Sequence, residues 1–216
     1  MFSATDRITF PKKGGYLKNG AIFFWLHAGL KPEIKTPGFS LEKVNREVAI
    51  KNSSDNSKVP DKNDNTPLEY FKINHVREVP AFTIKYGGRI EHALKQRGKE
   101  YAKSFKSTSG IISEQGVYLS GASFWYPRFG GSLLTFPLLV RVPEGWSTVS
   151  QGTAQIQAAQ HTRWNSPQPQ DEIFLIAAKF HRYQRQAGSV SAMNCIRSMN
   201  YNRNWIFWFQ VLVRHF

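Results

Sequence analysis

The chain predicts an all-β fold: an antiparallel β-sandwich, or an open saddle-like sheet, of about ten short strands. Three observations carry this. The apolar residues come in short runs, several alternating with period two. Gly, Pro and Asn clusters break the chain between those runs. No stretch shows the sustained spacing of an amphipathic helix. Sixteen Phe, eight Tyr and six Trp in 216 residues push the same way, because aromatic side chains fit a pleated, half-buried surface.

Thr5 to Phe10 alternates weakly and predicts an edge strand, and Lys12 to Gly20 is a polar loop. Ala21 to His27 is a continuous apolar run, suited to a strand buried on both faces. Leu30-Lys31-Pro32 reads as the turn that ends it. Ile34 to Thr36 and Leu41 to Ile50 predict two more strands about a Pro37-Gly38 turn. Lys51 to Pro67 holds almost nothing that can pack and predicts an exposed hairpin loop. Leu68 to Asn74 resumes the sheet, with Tyr70 on one face and Phe71 and Ile73 on the other. Phe82, Ile84 and Tyr86 alternate with Thr83 and Lys85, the pattern of a half-buried strand, and Gly87-Gly88 fits a tight turn. Gly98 to Gly110 is polar and basic and fits a short helical turn or a loop.

The chain is organised around Glu114 to Gly152. Gly116 to Ser120 is a β-type run closed by Gly121, and Phe124-Trp125-Tyr126-Pro127 is a bulky corner where Pro127 cannot donate to a ladder. Leu134 to Val142 predicts a strand with Phe136, Leu138, Val140 and Val142 on one face and Arg141 on the other. Pro143-Glu144-Gly145 is a turn, and Trp146 to Val149 begins the next strand. Ala154, Ile156 and Ala158 alternate with glutamines. Two prolines make Arg163 to Gln170 a predicted loop. Glu172 to Phe180 predicts a strand buried on both faces at Ile173 to Ala178, continued by Tyr183 to Ala187.

The formal net charge is +14. It has two readings: an anionic partner, or the basic surface of an incomplete protein. No Cys/His finger, zipper or RNA-recognition signature accompanies it, so the sequence favours the second reading and no specific nucleic-acid partner. The single cysteine, Cys195, excludes an intrachain disulfide and assigns no compartment. Met1 is followed by Phe-Ser-Ala-Thr-Asp rather than a basic and then apolar leader, so no secretory signal is predicted. No run is long enough for a membrane-spanning helix, and Trp205 to Val213 is far too short. No two of His27, His75, His92, His161, His181 and His215 stand four apart, so no helix can offer a metal a histidine pair. Cys195 has no base nearby in sequence, Ser123 is not in a nucleophile elbow, and Asp171-Glu172 would point to opposite faces of a strand. The sequence thus offers no catalytic residue, no metal ligand set and no cofactor for this chain. Phe124, Trp125, Tyr126 and Phe129 beside Arg128 could stack bases, but such a corner fits a core between sheets better.

Three blocks carry a family resemblance: Phe23 to Pro32 (FFWLHAGLKP), Gly116 to Phe129 (GVYLSGASFWYPRF) running on into Leu133 to Gly152, and Arg163 to Gly188. They resemble, in order, the N-terminal β domain of the aminopeptidase-N family of zinc metallopeptidases, the gluzincins, in one bacterial branch. The family's Pro-x-Gly-x-x-x-x-Ser turn matches Pro143, Gly145 and Ser150. The resemblance covers roughly residues 5 to 192. It implies a non-catalytic domain whose partner, the catalytic domain, holds zinc through a His-Glu-x-x-His motif absent from this sequence. Zinc there would polarise the peptide carbonyl and activate water. In the family this domain covers the cleft and lends a polar residue to the substrate's free amine. That position falls at Tyr118, Leu119 and Ser120, where the wider family has Gln or Glu and this chain does not.

Beyond Met193 the resemblance stops. Residues 193–216 then read as a non-family, irregular tail, translated out of frame after a frameshift or premature stop and expected to be loose, behind a 1–192 family domain. The chain alone is expected to be inactive and to hold no stoichiometric zinc. The alternative from composition is a stand-alone basic β-sandwich that binds an anionic partner.

Overall fold

The computed structural model describes residues 2–9, 21–52, 66–75, 81–92, 95–97, 105–108, 110–130, 133–187, 190–197 and 210–214. The expected loop at 12–20, most of the one at 51–67 and residues 98–104 of the polar basic segment lie outside them. In chain order the elements are β1 (Phe2–Thr9), β2 (Ala21–His27), β3 (Leu30–Ile34), β4 (Phe39–Val44), α1 (Arg46–Asn52), β5 (Leu68–His75), β6 (Ala81–Gly88), β7 (Lys95–Arg97), β8 (Phe105–Ser107) and β9 (Gly110–Ser113). They continue with β10 (Gly116–Leu119), a 3-10 turn (Gly121–Ser123), β11 (Leu134–Arg141), β12 (Ser147–Val149), β13 (Thr153–Ala158) and β14 (His161–Gln170). Last come β15 (Leu175–Ala178), β16 (Phe180–Ala187), β17 (Val190–Arg197) and β18 (Gln210–Arg214). The fold is all-β, built from several antiparallel sheets with one short helix among the described residues.

The chain divides into two compact units. The first comprises residues 1–113, 118–135 and 168–174, the second 114–117, 136–167 and 175–216. Unit 1 holds two three-stranded sheets, ordered β1-β6-β3 and β2-β5-β4, and the β7-β8 pair. The period-two reading holds best here. Phe82, Ile84 and Tyr86 of β6 are buried, and β2 is buried along almost its whole length. Apolar side chains removed from water on a shared face supply the main drive to pair these strands. The two sheets are joined through aromatic rings. Phe39 of β4 stacks on Phe82 of β6 at 5.4 Å between centroids, and Phe129 lies 5.4 Å from Phe24 of β2 and 6.2 Å from Phe82.

Unit 2 holds β11-β14-β13, the β12-β15 pair and β16-β17-β18. β11 behaves as its alternation predicts, with Phe136 and Val140 buried and the intervening Pro137, Leu139 and Arg141 exposed. The Pro143 turn closes with the Trp146 N–H donating to the Pro143 carbonyl at 3.1 Å.

Several local expectations are corrected. Leu41 to Ile50 is not one strand: β4 stops at Val44 and α1 follows. Ala49 is fully buried and its N–H donates to the Asn45 carbonyl, while Glu47 and Lys51 suit the two ends of the helix dipole. Leu30-Lys31-Pro32 is strand rather than turn. β3 is an edge strand in which Pro32 faces Tyr86, the position where a missing N–H costs least. Gly87-Gly88 is also strand, opposite Ser3 and Phe2 on one side and Lys31 and Leu30 on the other. Residues 163–170 belong to β14 despite their prolines. The register with β13 ends at Asn165, so Pro167 and Pro169 lie past the paired stretch and break no bond to that neighbour. The strand expected at 172–180 is shorter: β15 spans 175–178 and Lys179 separates it from β16. Phe105 to Ser107 pairs as strand with Lys95 to Arg97.

The backbone around the expected 192/193 boundary runs without a break in β17, which pairs with β16 from Ala187↔Val190 to Phe180↔Arg197. β18 pairs with β17 over Val190↔Arg214 to Asn194↔Gln210. The described part of the tail is therefore strand, where an irregular segment was expected.

Candidate functional site

Tyr118, Leu119 and Ser120 end β10 and lead into the 3-10 turn. Leu119 is fully buried. The Ser120 carbonyl accepts the Ser123 N–H at 3.1 Å and the Ser123 hydroxyl at 2.7 Å, which fixes the turn. Of the three, Tyr118 alone keeps a half-exposed side chain. The backbone does not gather them into a polar anchor: Leu119 belongs to the core, and Ser120 serves the turn that starts the aromatic corner.

That corner is the hub of unit 1. Phe124 takes a left-handed backbone (φ 51), uncommon for a bulky residue, and is held among Trp25, Ala49 and Tyr70. Its carbonyl accepts the His27 N–H at 2.9 Å. Arg128 exchanges both backbone bonds with Trp25, at 3.1 and 3.0 Å, so the corner adds a rung beside β2. The Arg128 guanidinium sits 5.5 Å from the Tyr126 ring centre and donates through Nη1 to the Tyr126 hydroxyl and, at 3.0 Å, to the Asp171 carbonyl. The Tyr126 hydroxyl also accepts the Ile173 N–H at 3.1 Å, and Trp125 Nε1 donates to the Ile173 carbonyl at 3.0 Å. Burial pushes the Tyr126 hydroxyl above its usual range, against the pull of Arg128. Phe124, Trp125, Tyr126 and Arg128 are all buried, so this corner presents no ring platform for nucleic-acid bases. Asp171 contributes its carbonyl here.

Two constellations in unit 1 escaped the sequence. In the first, the Tyr86 hydroxyl donates to Asp6 Oδ2 at 2.7 Å, linking β6 to β1. Burial raises the Asp6 carboxyl above its usual range, the Tyr86 bond opposing. Asp6 stands opposite Ile84, and its half-buried place in an alternating strand is the signal that could have found it. In the second, His27 at the end of β2 meets His92 edge to face, ring centres 5.0 Å apart. His27 Nδ1 accepts the Gly29 N–H at 2.9 Å, so its proton sits on Nε2. Nε2 is buried and finds no acceptor among the described residues. Burial, then the charge of His92, lowers the His27 pKa to about 4. Ligation of a metal through Nε2 would shift that proton to Nδ1, directly against the Gly29 N–H, so this pair does not fit a metal. Nothing in sequence links residues 27 and 92. Only the docking of 89–92 beside the β2–β3 turn brings them together.

An open hollow of about 330 Å³ is lined by Gly38, Phe39, Ser40, Asn74 and His75. It holds no paired nucleophile and base. Among the described residues no three His, Cys, Asp or Glu side chains converge as a metal site, and no helix is long and apolar enough to cross a membrane. Comparison with protein-family models, with curated proteins and with solved structures returns no match.

Proposed function

We propose that this chain is the non-catalytic N-terminal β portion of an aminopeptidase-N-like zinc metallopeptidase, whose hydrolytic chemistry belongs to a separate catalytic domain. The observation that carries the reading is the block Gly116 to Phe129 followed by Leu134 to Gly145: a β run, an aromatic-proline corner, a Phe-Pro strand and a Pro-x-Gly turn in the family's order. The corner's role as the hub of unit 1 supports it, since a block that organises packing is one a family would keep. Of the three candidates there, Tyr118 alone keeps a half-exposed side chain.

The DNA downstream of the codon for Phe216 tests this. It is expected to encode His-Glu-x-x-His in one of its reading frames. Absence from all three frames overturns the proposal. In that case the charge of +14 points to the basic binding module instead, and affinity for a polyanion that falls steeply with salt is the result to seek.

A further inference from the structure

We propose that the His27–His92 pair is a proton-operated latch, which holds the β2–β3 turn against residues 88–92 when neutral and releases it in acid.

The seat of the turn has no slack. The Arg89 N–H donates to the Gly29 carbonyl at 3.1 Å. A Cβ on Gly29 would lie 2.1 Å from the Arg89 carbonyl oxygen, and one on Gly88 would lie 1.9 Å from the Gly29 oxygen. The far side of residues 88–92 is anchored separately. The His92 N–H donates to the Gly110 carbonyl at 3.0 Å, the Ile112 N–H donates to the Ile90 carbonyl at 3.0 Å, and Thr108 Oγ1 donates to the His92 carbonyl at 3.1 Å. Strain at the turn is therefore relieved by parting residues 27–30 from 88–92, not by sliding both together.

Protonation supplies that strain. A proton on His27 Nδ1 meets the Gly29 N–H, turning a hydrogen bond at 2.9 Å into two opposed donors. The charge arises at a residue 5% exposed, with the His92 ring 5.0 Å away. Among the described residues no carboxylate stands ready to receive it. Glu69, beside His27 on the paired strand β5, is held by Lys43 at 2.7 Å, and Glu91 is exposed and bridges through its backbone to Ile111. Arg89 faces the turn with its backbone and adds positive charge, not negative. His92 is thus the titratable group among the described residues that acts on His27, and it acts against the charged form.

Because the closed latch disfavours the proton, its hold is complete above the ordinary imidazole pKa of 6.5 and falls as pH drops toward about 4. Amide hydrogen exchange on the full chain reads this directly. Corrected for intrinsic rate, protection at Gly29 and Arg89 is expected to fall by about tenfold or more between about pH 7 and about pH 5. Protection at Ile8 and Phe82, in the β1–β6 ladder, should hold. His27→Gln keeps a side-chain acceptor and cannot titrate, so it should abolish the fall. His92→Gln removes a group that opposes the charged form of His27, so it should make the fall smaller. If His27→Gln does not fold, the imidazole resonances of the unaltered chain decide: His27 should titrate well below the ordinary imidazole value of 6.5. Protection at Gly29 that does not change with pH, or a fall that survives His27→Gln, or a His27 titration at that ordinary value, overturns the latch.

Discussion

Unit 1 and unit 2 are built from the same kind of strand and hold together differently. In unit 1, rings from β1, β2, β5 and β6 converge on one corner, with Phe39 of β4 stacked on Phe82 behind it, and Phe24, Trp25, Leu26, Leu30, Ile73, Ile84, Tyr86, Ile90 and Leu119 are essentially sealed from water. The described side chains of unit 2 offer a thinner interior. Phe136, Val140, Val149, Trp164 and Leu175 are buried, while Leu139 at 61% and Ile156 at 69% stand exposed. β13 shows almost no buried position, and β14 buries Trp164 and Ser166 alone. Trp164 is fixed by a 3.0 Å bond from its Nε1 to Thr148 Oγ1, one polar tie where unit 1 has a network. A corner that serves several strands at once concentrates stability, whereas separate strand pairs spread it thinly.

The largest effect should follow from breaking the hub. Trp125→Ala removes a ring that packs on Phe2 and Tyr126 and leaves the Ile173 carbonyl without its donor. A loss of about 3–5 kcal/mol is expected, enough to unfold most of unit 1. Urea titration followed by near-ultraviolet circular dichroism would show it. A midpoint unchanged by this substitution would mean the corner is decoration rather than hub.

Next comes the seat of the β2–β3 turn. Gly29→Ala places a methyl group against backbone that cannot swing aside, so about 1–3 kcal/mol should be lost. A thermal melt of the variant against the parent chain measures this. A melting temperature within error of the parent's would show that residues 88–92 can yield.

How much of this was legible in the sequence follows the same divide. The strands of unit 1 were readable because apolar residues specify both faces of Ala21 to His27 and one whole face of Phe82 to Tyr86, which leaves little alternative. The errors fall where one residue type speaks for two structures. Pro32, Pro167 and Pro169 look like breakers, yet Pro32 sits in an edge strand and the other two lie past the stretch that pairs with β13. Gly87-Gly88 looks like a turn because glycine permits one, but here it allows strands to approach closely. Val48-Ala49-Ile50 carries β-branched residues into a helix of under two turns, which only burial of Ala49 against Trp25 and Tyr70 explains. The polar constellations were invisible for a different reason. Asp6 with Tyr86, and His27 with His92, are joined across long stretches of chain, and no local pattern encodes such a meeting.

Asp6 gives a smaller prediction with a definite sign. Its carboxyl pKa is raised above 3.8 in the folded chain by burial. The folded state therefore binds this proton more tightly than the unfolded state. The stabilisation is complete below the unfolded pKa and disappears as pH rises through the raised folded value. At neutral pH the chain keeps a poorly solvated carboxylate on one tyrosine hydroxyl. Asp6→Asn preserves an acceptor for Tyr86 and removes the charge, so it should stabilise unit 1 by about 0.5–1 kcal/mol near neutral pH. The gain should vanish in acid, where the native carboxyl is already neutral. This is the reverse of the His27 response, so urea midpoints of the two single variants across pH separate the two groups. Destabilisation by Asp6→Asn at neutral pH would mean that the ionised carboxylate is a favourable partner of Tyr86.

The smallest effect on folding belongs to the exposed face of unit 2. Leu139 alternates with buried Phe136 and Val140 on β11, and Ile156 sits opposite Thr162 near the end of the β13–β14 ladder. Both side chains already meet water, so replacing them by serine removes little buried area. The Leu139→Ser, Ile156→Ser double variant should change the urea midpoint by no more than about 0.5 kcal/mol. Its effect should appear in association instead. Bulky apolar groups on exposed strands favour contact between chains, and β11 and β13 are the outer strands of their sheet. Light scattering at rising concentration should show less self-association for the double variant than for the parent. A matching loss of stability would place these residues inside an interior, and the contrast between a sealed unit 1 and a thinly packed unit 2 would then have to be redrawn.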